Sequence, residues 1–212
     1  LESSEDELAT LVLLRRAREM ARMQEREATR DLASVIDAPE GIYRTIVIDP
    51  PWEGADVGED NIMGRGDPLY STMTVEELAR LPVGTLAEED DCHLYLWTTN
   101  RMLRASFDLL DAWEFRYITL LTWCKPVIGV GRYYRNNTEH VLFAMRGTRL
   151  LGRADVGTWF EARREGRHST KPAAFYHLVE ECPPGPRLEM FARSPRDGWT
   201  TWGAEVGPDG EV

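Results

Sequence analysis

The chain has 212 residues, enough for one α/β domain that buries about 70% of its extended surface, and its 36 Asp and Glu outweigh 25 Lys and Arg to give a formal net charge of −11. That balance argues against tight, unaided binding of a nucleic acid, because phosphate contacts normally leave a basic footprint. Cys92, Cys124 and Cys182 lie far apart with no CxxC or Cys/His ligand spacing, which points to neither a disulfide framework nor a metal centre, and with no apolar run near 18 residues and no signal peptide a soluble, cytoplasmic protein is expected.

The sequence opens on Leu1 rather than Met, which leaves its natural start open. Residues 4 to about 33 predict a helix, with Ser4 and Glu7 as a capping box and Leu8, Leu11, Leu14, Ala17 and Ala21 recurring among many charges. Residues 1–38 therefore read as an N-terminal helical extension that packs on the domain or meets a partner, and residues 39–212 as the main domain. The first clear strand is Arg44 to Ile48, and it ends abruptly at Asp49-Pro50-Pro51-Trp52. Neither proline can donate to a sheet ladder, and the first pushes Asp49 out of helical conformation. A loop over 53–70, rich in Gly and Asp, is too long for a tight connection and reads as a lid or a disordered segment.

Thr74 with Glu77 caps a short helix from Val75 to Leu81, and His93 to Trp97 is the next strand. A helix follows from Asn100 to about Trp113, then a strand from Tyr117 to Trp123 that runs into Cys124-Lys125-Pro126. The Gly/Arg/Tyr/Asn segment 129–138 reads as a substrate loop ahead of a strand from Glu139 to Met145. Pro172 suits the first position of a helix reaching about Glu181. Arg187 to Phe191 is a late strand, and Trp199 to Trp202 a final one leading to Gly203-Ala204-Glu205. Strands alternating with helices imply a mostly parallel sheet with helices on both faces.

The tetrapeptide at 49–52 holds an acid, two bare carbonyls and a large aromatic face at a strand's C-terminal end, which is where open α/β sheets bind ligands. An exocyclic amino group has two N–H donors, which Asp49 and the Pro50 carbonyl can accept, while Trp52 offers a plane for a flat ring. The chemistry this fits is methyl transfer to the amino nitrogen of a base from S-adenosylmethionine, an in-line displacement that needs alignment and exclusion of water but no covalent nucleophile. Of the basic residues 23 are Arg and two are Lys, and both lysines precede proline, in Lys125-Pro126 and Lys171-Pro172. A compact ammonium fitted to one small anion would explain that choice, so both are site candidates. Lys171 at a helix start suits a cofactor carboxylate; Glu205, past the last strand, suits ribose hydroxyls; Arg193 lies at another strand's exit. There is no GxGxxG, P-loop or GxSxG. His177, inside a helix, reads as a packed residue, and His140 remains ambiguous.

On these motifs the sequence resembles the MT-A type N6-adenine methyltransferases over about residues 42–205. The matching segments, in the family's order, are Asp49-Pro50-Pro51-Trp52; Tyr70-Ser71-Thr72-Met73-Thr74; Leu94-Tyr95-Leu96-Trp97; Leu121-Thr122-Trp123-Cys124-Lys125; Glu139-His140; His168-Ser169-Thr170-Lys171-Pro172; Glu189-Met190-Phe191-Ala192-Arg193; and Gly198-Trp199 through Trp202-Gly203-Ala204-Glu205. The resemblance implies a Rossmann-like S-adenosylmethionine-dependent methyltransferase in circularly permuted order. Asp49, Pro50, Pro51 and Trp52 would be its catalytic tetrapeptide. Asp49, Lys171, Phe191, Arg193, Asp197, Ala204 and Glu205 would hold the cofactor, and Trp52, Tyr70, Trp97, Lys125 and Glu139 would line the substrate pocket.

The implied reaction is methylation of adenine N6 in DNA or RNA, with the base flipped or unstacked between Trp52 and the 53–70 loop and with a partner subunit or a second copy as further partners. One alternative is a non-catalytic scaffolding subunit, although such relatives lose the acid tetrapeptide or the cofactor residues; another is an amino methyltransferase of cytosine N4 or a small molecule, which Trp52 in place of the Ser-Pro-Pro-Tyr style of N4 enzymes disfavours. Ala204 departs from the family's amide residue, the ribose role falls to Arg196 and Asp197 in a shortened turn, and the upstream acid expected near the cofactor is either Asp31 or Asp37.

Overall fold

The alternation of apolar residues in Ile46-Val47-Ile48, Leu94-Tyr95-Leu96-Trp97 and Val141-Leu142-Phe143-Ala144 sends neighbouring side chains to opposite faces of a sheet that is buried on both. In the computed structural model, which describes residues 39–53, 72–129, 133–163, 170–181 and 185–203, seven strands form that sheet: β1 (Thr45–Ile48), β2 (Asp91–Thr98), β3 (Arg116–Cys124), β4 (Thr138–Gly147), β5 (Trp159–Glu161), β6 (Arg187–Met190) and β7 (Thr200–Trp202). Four helices accompany them: α1 (Val75–Ala79), α2 (Val83–Leu86), α3 (Leu103–Ala112) and α4 (Ala173–Glu181). All the described residues except Thr72 belong to one compact unit, and it is this unit that is described. The expected N-terminal helix, the 53–70 loop beyond Glu53, Asp31, Asp37, Tyr70, Ala204 and Glu205 lie outside the described residues.

The strand order is β5-β3-β4-β2-β1-β6-β7. β1 pairs in parallel with β2 and β6, β6 with β7, and β3 with β5. β4 runs antiparallel to both its neighbours, β2 and β3. Its reversal has a local cause, since residues 125–137 join β3 to β4 without a helix among those described, and a connection of that kind returns the chain antiparallel. The mostly parallel α/β sheet expected from the sequence is thus present, with one reversed strand inside it.

Each face carries its own core. Ile46, Ile48, Leu94, Leu96, Leu142, Ala144, Leu188 and Met190 pack with Leu78 of α1, Val83 and Leu86 of α2, and Leu109 and Leu110 of α3. The alternate positions, Val47, Tyr95, Trp97, Leu121, Trp123, Val141 and Phe143, pack with Phe175, Tyr176 and Val179 of α4. Among the described residues no helix is long and apolar enough to cross a membrane.

Several elements differ in detail from expectation. The helix expected to open at Asn100 starts at Leu103, because the Asn100 amide bonds Thr138 and its carbonyl oxygen meets His140, so it ties two strand ends together instead of capping. α2 and β5 went unpredicted, the first being four residues after Pro82 and the second a three-residue edge strand whose Trp159 is exposed. His177 corrects its expected packing: it faces solvent on α4.

Candidate active site

The period-two pattern that builds the α4-side core continues past the strand ends, and there the apolar residues give way to ionic ones. Asp49 follows Val47 in that register, Glu139 precedes Val141, and Lys125 follows Trp123. Because β4 is reversed, its start meets the C-terminal ends of β2 and β3, and β1, parallel to β2, ends on the same side, so all three charged groups gather at one sheet edge. Lys171 joins them from the segment leading into α4.

The result is a chain of alternating charge. The Lys171 ammonium lies 2.9 Å from Asp49 Oδ1 and 3.4 Å from Glu139 Oε2, and the Lys125 ammonium donates to Glu139 Oε1. Both lysines of the sequence therefore meet on one glutamate. Beneath them lies an aromatic floor: Lys171 Nζ is 4.9 Å from the Trp97 ring centroid and Lys125 Nζ is 4.7 Å from that of Trp123, and the two indoles meet edge to face. A cation over an indole face gains from the ring quadrupole most where water is excluded, and the Lys171 side chain is 9% exposed.

Burial sets different ionisation behaviour for the two acids. For Asp49, burial raises the pKa above the ordinary aspartate range, beyond what the Lys171 and Arg193 charges offset, and the Glu139 charge pushes the same way. Burial also raises Glu139, but two ammonium groups act on it and hold it below the ordinary glutamate range. Lys171 is disfavoured as a cation by burial, yet its two carboxylate partners carry it above the ordinary lysine range. Glu139 and Lys171 thus form the permanently charged pair, and Asp49 is the acid of this group nearest to taking a proton.

The Asp49 turn is tied on three sides. Asp49 N–H reaches Met190 O of β6 at 3.4 Å, Trp52 N–H bonds Pro50 O at 2.8 Å, and Met73 N–H bonds Pro51 O at 2.8 Å. The Trp52 indole is 6% exposed, packs in the core and donates to Trp97 O at 3.2 Å. The stacking plane expected from Trp52 is therefore corrected: the indole serves as an anchor that fixes the turn. The Pro50 carbonyl already accepts one N–H, which leaves it one lone pair for a substrate.

Beside this turn, Ile48 pairs with Met190, so the exit of β6 adjoins that of β1. Phe191 there has φ of 62°, a left-handed conformation that costs a non-glycine residue of order 1–3 kcal/mol and clusters at functional sites. Its ring packs on Trp202. Glu189 sits on the α4 side of β6, accepts from Tyr176 Oη at 2.6 Å and lies 3.8 Å from Arg196 Nε. Arg196 stacks its guanidinium 3.4 Å from the Tyr176 ring centroid. Burial raises Glu189 above the ordinary glutamate range, though Tyr176 and Arg196 oppose the shift.

The family model for MT-A70 matches residues 43–205. The chain belongs to the MT-A70 family. Among its relatives, the type II methyltransferase M.MunI of a Mycoplasma species is 31% identical over 82% of this chain and 82% of its own length. The mouse N(6)-adenine-specific methyltransferase METTL4 is 27% identical over 77% of this chain, and the human N(6)-adenosine-methyltransferase catalytic subunit METTL3 is 25% identical over 78%. This MT-A70 chain spans only 37% and 28% of those two proteins.

Of the residues singled out in this MT-A70 chain, Asp49, Trp97, Lys125, Glu139 and Lys171 come together directly. Phe191 and Arg193 lie at the adjoining β6 exit, and the Arg193 charge reaches Asp49. Asp197 is exposed in the turn beyond them. Arg196, read as a ribose candidate, instead turns inward onto Tyr176 and Glu189. Glu189 and Tyr176 were not singled out as site residues. The available signal was an acid between Leu188 and Met190 in an apolar strand, since a buried carboxylate needs a built environment.

Proposed function

We propose that this chain transfers a methyl group from S-adenosylmethionine to N6 of adenine in a nucleic acid. The observation that carries the reading is Asp49 at the end of β1, held 2.9 Å from Lys171 in a net-neutral chain of two carboxylates and two ammonium groups. An amine donor finds there one acid still able to gain a proton, next to a glutamate that stays ionised. The late strand β6 lying directly beside β1 supports a permuted motif order, with the cofactor groups late in sequence and next to Asp49 in space.

The donor set fits the cofactor. Lys171 has a third N–H beyond those turned to Asp49 and Glu139, suited to a carboxylate; Arg193 adds charge at the same edge; Phe191 and Trp202 offer apolar surface; Asp49 offers an acceptor for an ammonium. Asp197 would take the ribose hydroxyls, and Ala204 and Glu205 would complete the adenosine side. When bound, S-adenosylmethionine supplies an electrophilic methyl on a sulfonium. The chain then has to hold the acceptor nitrogen. Asp49 accepts one amino hydrogen, draws the nitrogen lone pair out of the ring and takes the proton as the nitrogen becomes substituted; the Pro50 carbonyl fixes the second hydrogen. Glu139 and Lys125 orient the base, and the closed aromatic floor excludes water from beneath.

Incubating the purified chain with methyl-labelled cofactor and DNA or RNA oligonucleotides, then digesting to nucleosides, tests this. Label in N6-methyladenine, reduced about 10²–10⁴-fold by Asp49→Asn, is the expected outcome. Label in cytosine alone, or incorporation that Asp49→Asn leaves intact, overturns it.

A further inference from the structure

The loop joining β3 to β4 stands out in charge and in exposure. Although the chain holds 36 acidic residues, none falls between Glu114 and Glu139, a stretch that contains Arg116, Lys125, Arg132 and Arg135. Within that stretch Tyr133 is 93% and Tyr134 99% exposed, and Val127 and Ile128 are exposed as well. Exposed aromatic rings offer faces on which a base can stack. The loop is also built. Lys125 N–H bonds Asn137 O at 2.7 Å and Asn137 Nδ2 returns to Lys125 O at 3.3 Å; Gly129 N–H bonds Asn136 O at 2.8 Å and Arg135 Nε bonds Gly129 O at 2.6 Å.

Its two roots are the ionic residues of the site. Lys125 leaves β3 and Glu139 enters β4, and they bond each other across the base of the loop. The segment that carries Tyr133 and Tyr134 thus runs directly into the glutamate of the site. The root is braced again by His140, which bonds Thr122 on β3 and Asn100 after β2, while Asn100 bonds Thr138.

We infer that residues 133–138, which lead into β4, form a stacking platform for the nucleic-acid strand, with Tyr133 and Tyr134 receiving unstacked bases that flank the target and Arg135 meeting the backbone phosphate. The inference rests on the nucleic-acid reading above and names how an acidic chain grips that polymer. Every base presents a π-face, so aromatic stacking needs no basic surface at large and tolerates any flanking sequence. One acid-free, aromatic segment at the site edge supplies locally what the net charge denies globally.

The test uses the full chain and fluorescently labelled single-stranded DNA and RNA oligonucleotides containing adenine, with anisotropy for strand affinity, calorimetry for S-adenosylmethionine affinity, and labelled methyl transfer. Tyr133→Ala and Tyr134→Ala each weaken strand affinity by about 5- to 150-fold, and raise the oligonucleotide KM in step, while cofactor affinity stays at the wild-type value. Tyr→Phe at both positions retains the affinity, because the stacking face is kept. Arg135→Gln lowers the slope of log affinity against log salt by about 0.7. Unchanged strand affinity in the double alanine variant with intact cofactor binding overturns the inference. So does dissociation of a dimer by that variant without loss of strand affinity, which would make the segment a protein interface. Strand binding that depends on the tyrosines without methyl transfer leaves the platform standing and overturns the catalytic reading alone.

Discussion

At the residue scale, the property that matters most is the unequal treatment of two acids 2.9 Å and 3.4 Å from the same ammonium. Glu139 has a second cation in Lys125, so its charge is secured, whereas Asp49 is left with a raised pKa in which the Glu139 charge is one cause. If ionised Asp49 is the form that accepts the amine hydrogen, activity falls as pH drops through that raised value. The acid limb of kcat/KM then lies above the ordinary aspartate range. Glu139→Gln removes the like charge and gives Asp49 sole claim on Lys171, and both changes lower the Asp49 pKa. The expected result is an acid limb displaced to lower pH even as the maximum rate falls, read from kcat/KM across pH for both proteins. A limb that stays in place, or moves up, shows that Asp49 does not set it.

At the element scale, the site depends on how strand exits are braced. β6 and β7 leave the sheet side by side, and Ala192 N–H bonds Trp202 O at 3.0 Å. Gly203 permits this approach, since a Cβ there would stand 2.5 Å from Ala192 O and 2.8 Å from Ala192 N. Gly203→Ala must push the two exits apart, at about 1–3 kcal/mol by the usual cost of overpacking; urea unfolding of the variant should show that loss together with weakened cofactor binding. α1 braces the other side. Its capping box, Thr74 with Glu77, follows Met73, whose N–H and C=O bond Pro51 O and Glu53 N–H. That cap was legible from sequence because its chemistry is local, as was the Asp49 turn, where two prolines leave the chain no strand to continue. The two lysines were legible by their rarity. The contacts of Trp52, Glu189, Tyr176 and Arg196 were not, since a tryptophan reads the same whether it stacks on a ligand or packs in a core, and Glu189 meets partners on α4 and on the turn after β6. β5 was hidden by its length, three residues at an edge with Trp159 exposed.

At the scale of the whole molecule, two electrostatic facts pull apart. The chain carries a net charge of −11, so its folded form repels itself, while the 125–138 hairpin holds cations without acids. Salt acts on the two oppositely. Screening self-repulsion should raise the thermal midpoint of the fold as ionic strength increases. Strand affinity should fall, but gently. Lys125 is committed to Glu139, which leaves Arg135 among the described hairpin residues for a phosphate. A single-strand slope of −0.7 per phosphate contact then gives a drop of roughly two- to threefold between about 50 and 200 mM salt. A protein gripping the polymer through a broad basic face loses several orders of magnitude over the same range, because it releases many more counterions. Scanning both quantities on one preparation separates the cases: a rising midpoint with a shallow affinity slope fits an acidic enzyme that holds its strand by stacking. A steep slope would mean that phosphate contacts from surfaces other than the hairpin carry the binding.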